Sequence, residues 1–469
     1  MRSLVVVALT VGACGDEREA ASDVTATTDA APTSDAASEV ADTTSPGEDT
    51  IPTEVATDVA TDATTADVRP STEPIDDDVV PCDEPRYWPY SVASEAWPIR
   101  VHYRTPAEEA IALDVVEYAD QALDVMVDDL GFRAPLPDAV RCGPDARLDI
   151  FLWRGTSSVY TDVLGSNPAT SWDDAPVYIV LDTDGFTAGE WLDATVAHEL
   201  NHAIQAAYDW TDTTIIYEAS STFIEDVVHD DDDNYQYLMG DFQQNPDWSI
   251  DRDDGYETWF MYGFALYLHY LNERFFEGDP RFLVRMWEGL QSPEWAGEPD
   301  FEDALDELLA DHGRSFLDTV LEFQRWRWYV GERDDGRHLE EAGAFPEDAT
   351  VAVEATVQAG VASSTTLRPM MLGTMFVDVV GDAGDAIVVT LDRTGGASTN
   401  NVHWVVQALP GVGGDDGETV DIDAGTPVAL VDGRRTLVVT AMPGTATNED
   451  PDARTDQRFR VTLEVEPAP

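Results

Sequence analysis

Within the stretch Trp191–Asp209 lie His198-Glu199-Leu200-Asn201-His202, two imidazoles four positions apart with a carboxylate between them. Residues at that spacing stand one above the other on an α-helix, so both rings can reach one tetrahedral metal ion while Glu199 projects beside it. A zinc ion held there would lower the pKa of a bound water from about 15.7 towards roughly 7, and the carboxylate would take the water's proton. The pattern is short and also arises by chance, so its context has to decide. Thr187 and Glu190 have capping-box spacing and mark a helix start just upstream. At about 3.6 residues per turn, Leu192, Val196, Leu200, Ala203 and Ala207 share one face, and His198, His202 and Gln205 nearly the opposite one. Such a helix packs its apolar face on the core and turns the histidines into a cleft. Polar surface histidines beside a solvated carboxylate are the plain alternative. With 8 His in the whole chain, two of them at ligand spacing on a capped amphipathic helix favour the metal site.

A catalytic zinc takes three protein ligands and a water, so a third ligand is sought downstream. The extended metzincin pattern needs a Gly and a further His soon after His202, and Ala203-Ile204-Gln205-Ala206-Ala207-Tyr208 has neither. After the turn Asp209–Thr214 a second helical stretch is expected over Ile215–Val228. One of its faces carries Ile216, Ser220, Phe223 and Val227, the other Glu218, Thr222 and Glu225. Either glutamate could complete a His-His-Glu site of the thermolysin kind, and a solvated acidic face is the ordinary reading of each alone.

The runs Thr195–Gln205 and Tyr217–Asp226 resemble the signature of secreted bacterial zinc metalloproteases of gluzincin type. The resemblance extends to Asn234–Leu238, Met261–Tyr267, Phe323–Trp326 and Gly331, over about residues 95–345. It implies an α+β, zincin-like metallopeptidase domain with a helical second lobe and a cleft bordered by a sheet edge. His198, His202 and Glu218 would then be the ligands and Glu199 the base. One departure is the gap from His202 to Glu218, shorter than in thermolysin, which keeps Glu225 as rival ligand or as outer partner of a ligand imidazole. Tyr262, at the start of an aromatic-rich helix, is a candidate to stabilise the oxyanion, with packing as its other role.

The remaining chain reads as an extracellular or cell-surface address. Met1-Arg2, the apolar Leu4–Val11 and the lipobox-like Val11-Gly12-Ala13-Cys14 make residues 1–14 a lipoprotein-type signal with Cys14 as the acylated residue, anchoring the protein to the bacterial outer membrane. An ordinary signal peptide is the alternative. The membrane is met only through that anchor, since no segment has the roughly 18 consecutive apolar residues of a spanning helix. With Cys14 acylated, the 3 Cys leave Cys82 and Cys142 as one disulfide or two free thiols. Residues 15–80, rich in Ala, Thr, Ser, Asp, Glu and Pro, cannot bury enough surface to offset their ordering entropy; they read as a disordered acidic linker, with a cleaved pro-segment as the competing role.

Behind this linker, residues 81–346 form the metallopeptidase domain: an extended Ile99–Tyr103, a helix from about Ala107 to Leu130, strands Leu148–Trp153 and Val177–Leu181, the two site helices, and helices from Trp259 to about Tyr329 broken at Gly278, Pro280, Pro293 and Gly313. From residue 347 to 469 the texture turns to short Val- and Thr-rich runs between Gly and Asp clusters, an all-β sandwich accessory domain. His403 and Trp404 sit in one of its strands and read as packing.

The chain carries 93 Asp+Glu against 26 Lys+Arg, a formal charge of −67, and no Lys. Nucleic acid is excluded as a partner, and a saline habitat accounts for the balance. Asp230–Asp233 and Asp251–Asp254 are candidates for structural Ca²⁺, although neither has EF-hand spacing and a solvated face is the simpler reading. The expectation is a zinc-dependent endopeptidase acting on protein or peptide substrates. A non-catalytic surface-binding or adhesin-like lipoprotein that keeps the fold is the alternative, against which the intact Glu199 argues.

Overall fold

In the computed structural model the described residues run from 79 to 469, apart from 157–158, 185–190, 231–232, 254–255, 257, 292–298, 346–351, 357–361, 394–401, 411–417, 421 and 445–456. The expected signal with Cys14, the linker up to residue 78, the Thr187/Glu190 capping pair and the 346/347 domain boundary lie outside them.

The first half is built on a five-stranded sheet. Its strands are β1 (Tyr90–Ala93), β2 (Ile99–Tyr103), β3 (Leu148–Leu152), β4 (Tyr160–Val163) and β5 (Val177–Leu181), in the order β1-β2-β3-β5-β4. The three inner strands β2, β3 and β5 run parallel, and β1 and β4 close the two edges antiparallel. The inner strands are covered on both faces, as their near-continuous apolar composition requires. Strand periodicity then divides their side chains. Ile150, Leu152, Val177, Ile179 and Leu181 enter the large core, while Phe151, Tyr178 and Val180 turn to the opposite face and pack with Trp88 and Cys142.

Helix α1 (Glu109–Leu123) lies on the large-core side through Ala112, Val115, Ala119 and Ala122, and ends in a π-helical turn over Asp124–Asp129, so the expected single helix to Leu130 changes its winding at Asp124. Cys82 and Cys142 are disulfide-bonded, with Cα atoms 4.7 Å apart. Such a cross-link persists in an oxidising compartment, which places the chain outside the reducing cytoplasm.

The site-bearing helices α2 (Leu192–Gln205) and α3 (Thr214–Val228) follow β5 and pack against each other. Beyond them come α4 (Met239–Gln244), α5 (Phe260–Gly263), α6 (Ala265–Phe275), α7 (Arg281–Gly289), α8 (Phe301–Ala310) and α9 (Phe316–Trp326). Caps punctuate this run: Asp300 accepts from the amides of Glu302 and Asp303 at the start of α8, and Ser315 with Asp318 forms a capping box on α9. Glycine is required at residue 263, where a Cβ would stand 2.2 Å from that of Phe242.

The C-terminal part is two stacked sheets. One has the order β11 (Glu418–Thr419), β10 (Val402–Ala408), β13 (Arg434–Pro443), β8 (Thr374–Val380), β6 (Ala352–Thr356). The other has the order β12 (Val428–Ala429), β9 (Ala386–Asp392), β14 (Val461–Pro467), β7 (Ser363–Leu367). Their inward residues, among them Val377, Val389, Trp404, Val439 and Leu463, form a core of their own. This part is also fastened to the helices. Leu372 and Met442 belong to the large core, the amides of Met370 and Thr374 donate to the carbonyls of Asp247 and Pro246 at 2.8 Å and 2.7 Å, and Gln324 Nε2 donates to Leu372 O at 2.9 Å. At Gly373 a Cβ would lie 2.5 Å from the Asp247 carbonyl, so the close approach of the two backbones needs glycine there.

Candidate metal centre

Both site helices are buried along nearly their whole length. Leu192, Val196, Leu200, Ala203 and Ala207 lie in the core. Helix α3 covers the face with His198 and His202, leaving His202 at the wall of a small cleft, and most of its polar groups meet other side chains.

The imidazoles of His198 and His202 meet nearly edge to face, with ring centroids 4.7 Å apart. From α3, Glu218 Oε2 reaches 3.2 Å from His198 Nε2 and 3.7 Å from His202 Nε2. Donors sharing one tetrahedral ion at ordinary bond lengths stand about 3.3 Å apart, so the two distances to Glu218 Oε2 are of the size that co-ligands of one cation show. Glu225, seven residues on, sits on the far side of the first ring, with Oε1 2.6 Å from His198 Nδ1. The two glutamates are thus placed differently: Glu218 faces both Nε2 atoms, and Glu225 faces the Nδ1 of one imidazole. Glu199 also comes within 4.8 Å of both imidazoles, and among the described residues these three are the one group of potential ligands that close. The Glu199 carboxylate is otherwise engaged, since Oε2 accepts from Thr161 Oγ1 at 2.7 Å on the edge strand β4. Glu218 is therefore the better placed third donor, and the Glu199 carboxylate stands beside the triangle, held by Thr161.

The protonation balance around the triangle favours a positive charge there. His202 Nδ1 lies 2.7 Å from Gln205 Oε1, and its Nε2 is buried with no hydrogen-bond partner. A bare ring nitrogen aimed at a carboxylate is costly unless a cation lies between them. Burial pushes the Glu218 pKa up, yet the neighbouring imidazoles, His202 foremost, outweigh it and hold the carboxyl well below its usual range. Burial lowers the His198 pKa, and the bonds from Glu218 and Glu225 more than reverse that. For Glu199 and Glu225 burial prevails over the imidazoles and raises both.

Two tyrosines close the site. Tyr262 is buried and stacks on His198 at 5.9 Å between centroids. Tyr256, not singled out by the sequence, donates its hydroxyl to Glu218 Oε1 at 3.0 Å. It lines a small cleft with Thr161, Val163, His202 and Trp210. Its backbone adopts φ 65°, a left-handed conformation uncommon for a bulky residue. A signal for Thr161 and Tyr256 was absent because each sits in a short segment among Ser, Asn, Asp and Gly, with no periodicity to place it. Of the two acidic runs considered as Ca²⁺ candidates, Asp231, Asp232 and Asp254 lie outside the described residues, and the others join no ligand cluster among the described residues.

No family model matches the chain, and no curated protein matches it. Among solved structures, a periplasmic inhibitor of g-type lysozyme from Salmonella Typhimurium overlays 25% of this chain with 100% of its own length, at 11% identity and a TM-score of 0.17. The corresponding inhibitor from Aeromonas hydrophila overlays 25% of this chain with 100% of its own, at 15% identity and a TM-score of 0.16. Overlaps at these scores do not define a shared fold.

Proposed function

We propose that this chain is an extracytoplasmic zinc-dependent peptidase, with His198, His202 and Glu218 as ligands and Glu199 as general base. The observation that carries the reading is the meeting of both Nε2 atoms on one oxygen of Glu218, at 3.2 Å and 3.7 Å, with Glu199 on the same helical turn as the histidines. Two imidazoles and one carboxylate are a donor set that zinc favours, and the ion, when bound, polarises a peptide carbonyl and makes its water acidic enough to ionise near neutral pH.

The chain's own residues do the rest. Glu199, fixed by Thr161 through one oxygen, accepts the water's proton on the other and delivers it to the leaving amine. Burial raises its pKa, which suits a base that must give the proton back. Glu225 and Gln205 hold the two rings from behind. Among the described residues strand β4 pairs with β5 alone, so its outer edge offers backbone groups to an extended peptide. Tyr256 lines the cleft, and its hydroxyl would serve a developing oxyanion only by giving up its bond to Glu218, whereas Tyr262 is stacked on a ligand ring. Surface attachment through a lipid at Cys14 belongs to the same proposal, and intact-mass spectrometry of the mature protein reads it directly.

The test is metal analysis combined with a broad peptide-library digest. Cleavage should be abolished by chelation and restored by zinc, and Glu199→Gln should keep the metal while losing at least about a hundredfold in rate. Full activity in Glu199→Gln, or in zinc-free protein, sinks the reading.

A further inference from the structure

The two ligand imidazoles are held by different chemistry, and the second holder is an uncharged relay that spans both site helices. We infer that Gln205 is a positioning residue that locks His202 in the Nδ1–H tautomer, leaving its Nε2 lone pair bare towards Glu218. The inference rests on the metal-centre reading above.

It follows from tracing protons outward from groups that can only accept. Backbone carbonyls cannot donate. Ser220 Oγ donates to the Ile216 carbonyl at 2.6 Å, so its oxygen is an acceptor towards its other neighbours. The Gln205 side chain places one terminal atom 3.1 Å from the Tyr217 carbonyl, 2.9 Å from Ser220 Oγ and 2.6 Å from Asn201 Oδ1. An oxygen there would face two fixed acceptors, so that atom must be the amide nitrogen. Asn201 is oriented in turn: its Oδ1 also receives Ser221 Oγ at 3.1 Å, and its Nδ2 points at Met126 Sδ on the turn after α1.

With its nitrogen committed, Gln205 can present only Oε1 to His202, 2.7 Å from Nδ1, and Ser221 Oγ, 3.2 Å from the same Nδ1, gives its own proton to Asn201 Oδ1. An amide oxygen cannot donate, so the proton of that bond must come from the ring. A neutral imidazole protonated at Nδ1 carries its lone pair on Nε2, the atom buried without a partner and 3.7 Å from Glu218 Oε2. His198 is held differently, with Glu225 Oε1 accepting from its Nδ1 at 2.6 Å and Glu218 Oε2 3.2 Å from its Nε2. A charged holder behind one ring and a neutral one behind the other keep a fourth buried carboxylate away from Glu199, Glu218 and Glu225. A second acid at position 205 would add negative charge in a place where α2 and α3 supply no cationic side chain beyond the two imidazoles.

Nitrogen-15 NMR of the histidine rings in zinc-free protein reads the tautomer without any reference to catalysis. Wild type should show His202 as Nδ1–H. Gln205→Met, which keeps the volume and removes the amide acceptor, should release His202 to a tautomer mixture while the His198 ring signals, set by Glu225 and Glu218, do not change. Zinc affinity by chelator competition should fall roughly 10–100-fold in the same variant. Wild-type His202 found as Nε2–H overturns the inference, and so does a Gln205→Met protein that leaves His202 unchanged or disturbs both rings alike. If Gln205→Met does not fold, the wild-type tautomer alone decides. An absence of peptide cleavage would overturn the peptidase reading and leave the tautomer result standing.

Discussion

The α2–α3 pair and the C-terminal sandwich bury side chains of opposite kinds. Along the two helices and their turn His198, Glu199, Asn201, His202, Gln205, Asp209, Glu218, Ser220, Ser221, Thr222 and Glu225 are all buried. Among its described residues the sandwich buries three polar side chains, Thr374, Gln407 and Thr440, around a core of Val, Leu, Ile and Trp. Taking polar groups out of water costs free energy unless each finds a partner, so a fold tolerates a dense polar layer only where partners are supplied in detail. The helices supply most of them through side-chain hydrogen bonds, with His202 Nε2 and Thr222 Oγ1 left over, and the sandwich avoids the cost by leaving such groups outside. The first region is organised for a site and the second for stability.

The sharpest way to break that contrast is in the site itself. Glu218→Ala should empty the centre, lowering zinc affinity by well over the roughly 100-fold upper range for an outer partner, and Glu225→Ala should remain within about 10–100-fold. Zinc titration of both proteins decides the matter, and a larger loss for Glu225→Ala reverses the assignment. The complementary change lies in the sandwich, where Leu463 is fully buried. Leu463→Ala should cost about 2–5 kcal/mol of stability in denaturant unfolding while leaving zinc affinity untouched. Coupled losses would show that the two regions do not divide their roles.

A smaller effect tests the cost of polar burial away from the site. Glu273, on α6, has its pKa pushed up to about 7, by burial first and then by Glu340 and Glu341. A carboxyl whose folded value exceeds its unfolded one stabilises the protein while protonated, and that contribution is lost as pH rises through about 7. Glu273→Gln should therefore raise stability at pH above about 7 by roughly 1 kcal/mol, reduced from the full shift by partial exposure, with no gain near pH 4. Urea unfolding at the two pH values is the measurement, and an equal gain at both would point to packing and not to charge.

Much of this organisation is legible in the sequence because it repeats at helical or strand spacing. Helix α3 runs Thr214–Val228 where Ile215–Val228 was expected, and the facing glutamates lie where their period puts them. What periodicity cannot reach is the short edge strand β4: four residues, one of them fully buried, give no alternation to read. With it went Thr161, the partner of Glu199. Strand β7, Ser363–Leu367, was missed because its polar composition resembles a loop, and Tyr256 because its neighbours are Asp and Gly. Likewise, a sequence does not say which of two glutamates on one face meets both rings, since that depends on how α3 packs across α2. The attachment of the sandwich to the helices, through Leu372, Gly373 and Gln324, is a contact between distant segments that leaves no local trace.

The bond between Cys82 and Cys142 also has a mechanical side. It joins the chain ahead of β1 to the loop just before β3, the middle strand of the five, across a sequence separation of 60. Tension arriving from the N-terminal side passes through two sulfur atoms into the centre of the sheet, and the intervening strands β1 and β2 and helix α1 carry none of it. A pull along the chain therefore loads the most heavily bonded part of the sheet first and cannot peel the edge strand away residue by residue. Reducing the bond would move the point of loading outward to β1, so the same force would then begin to unzip the fold from its edge.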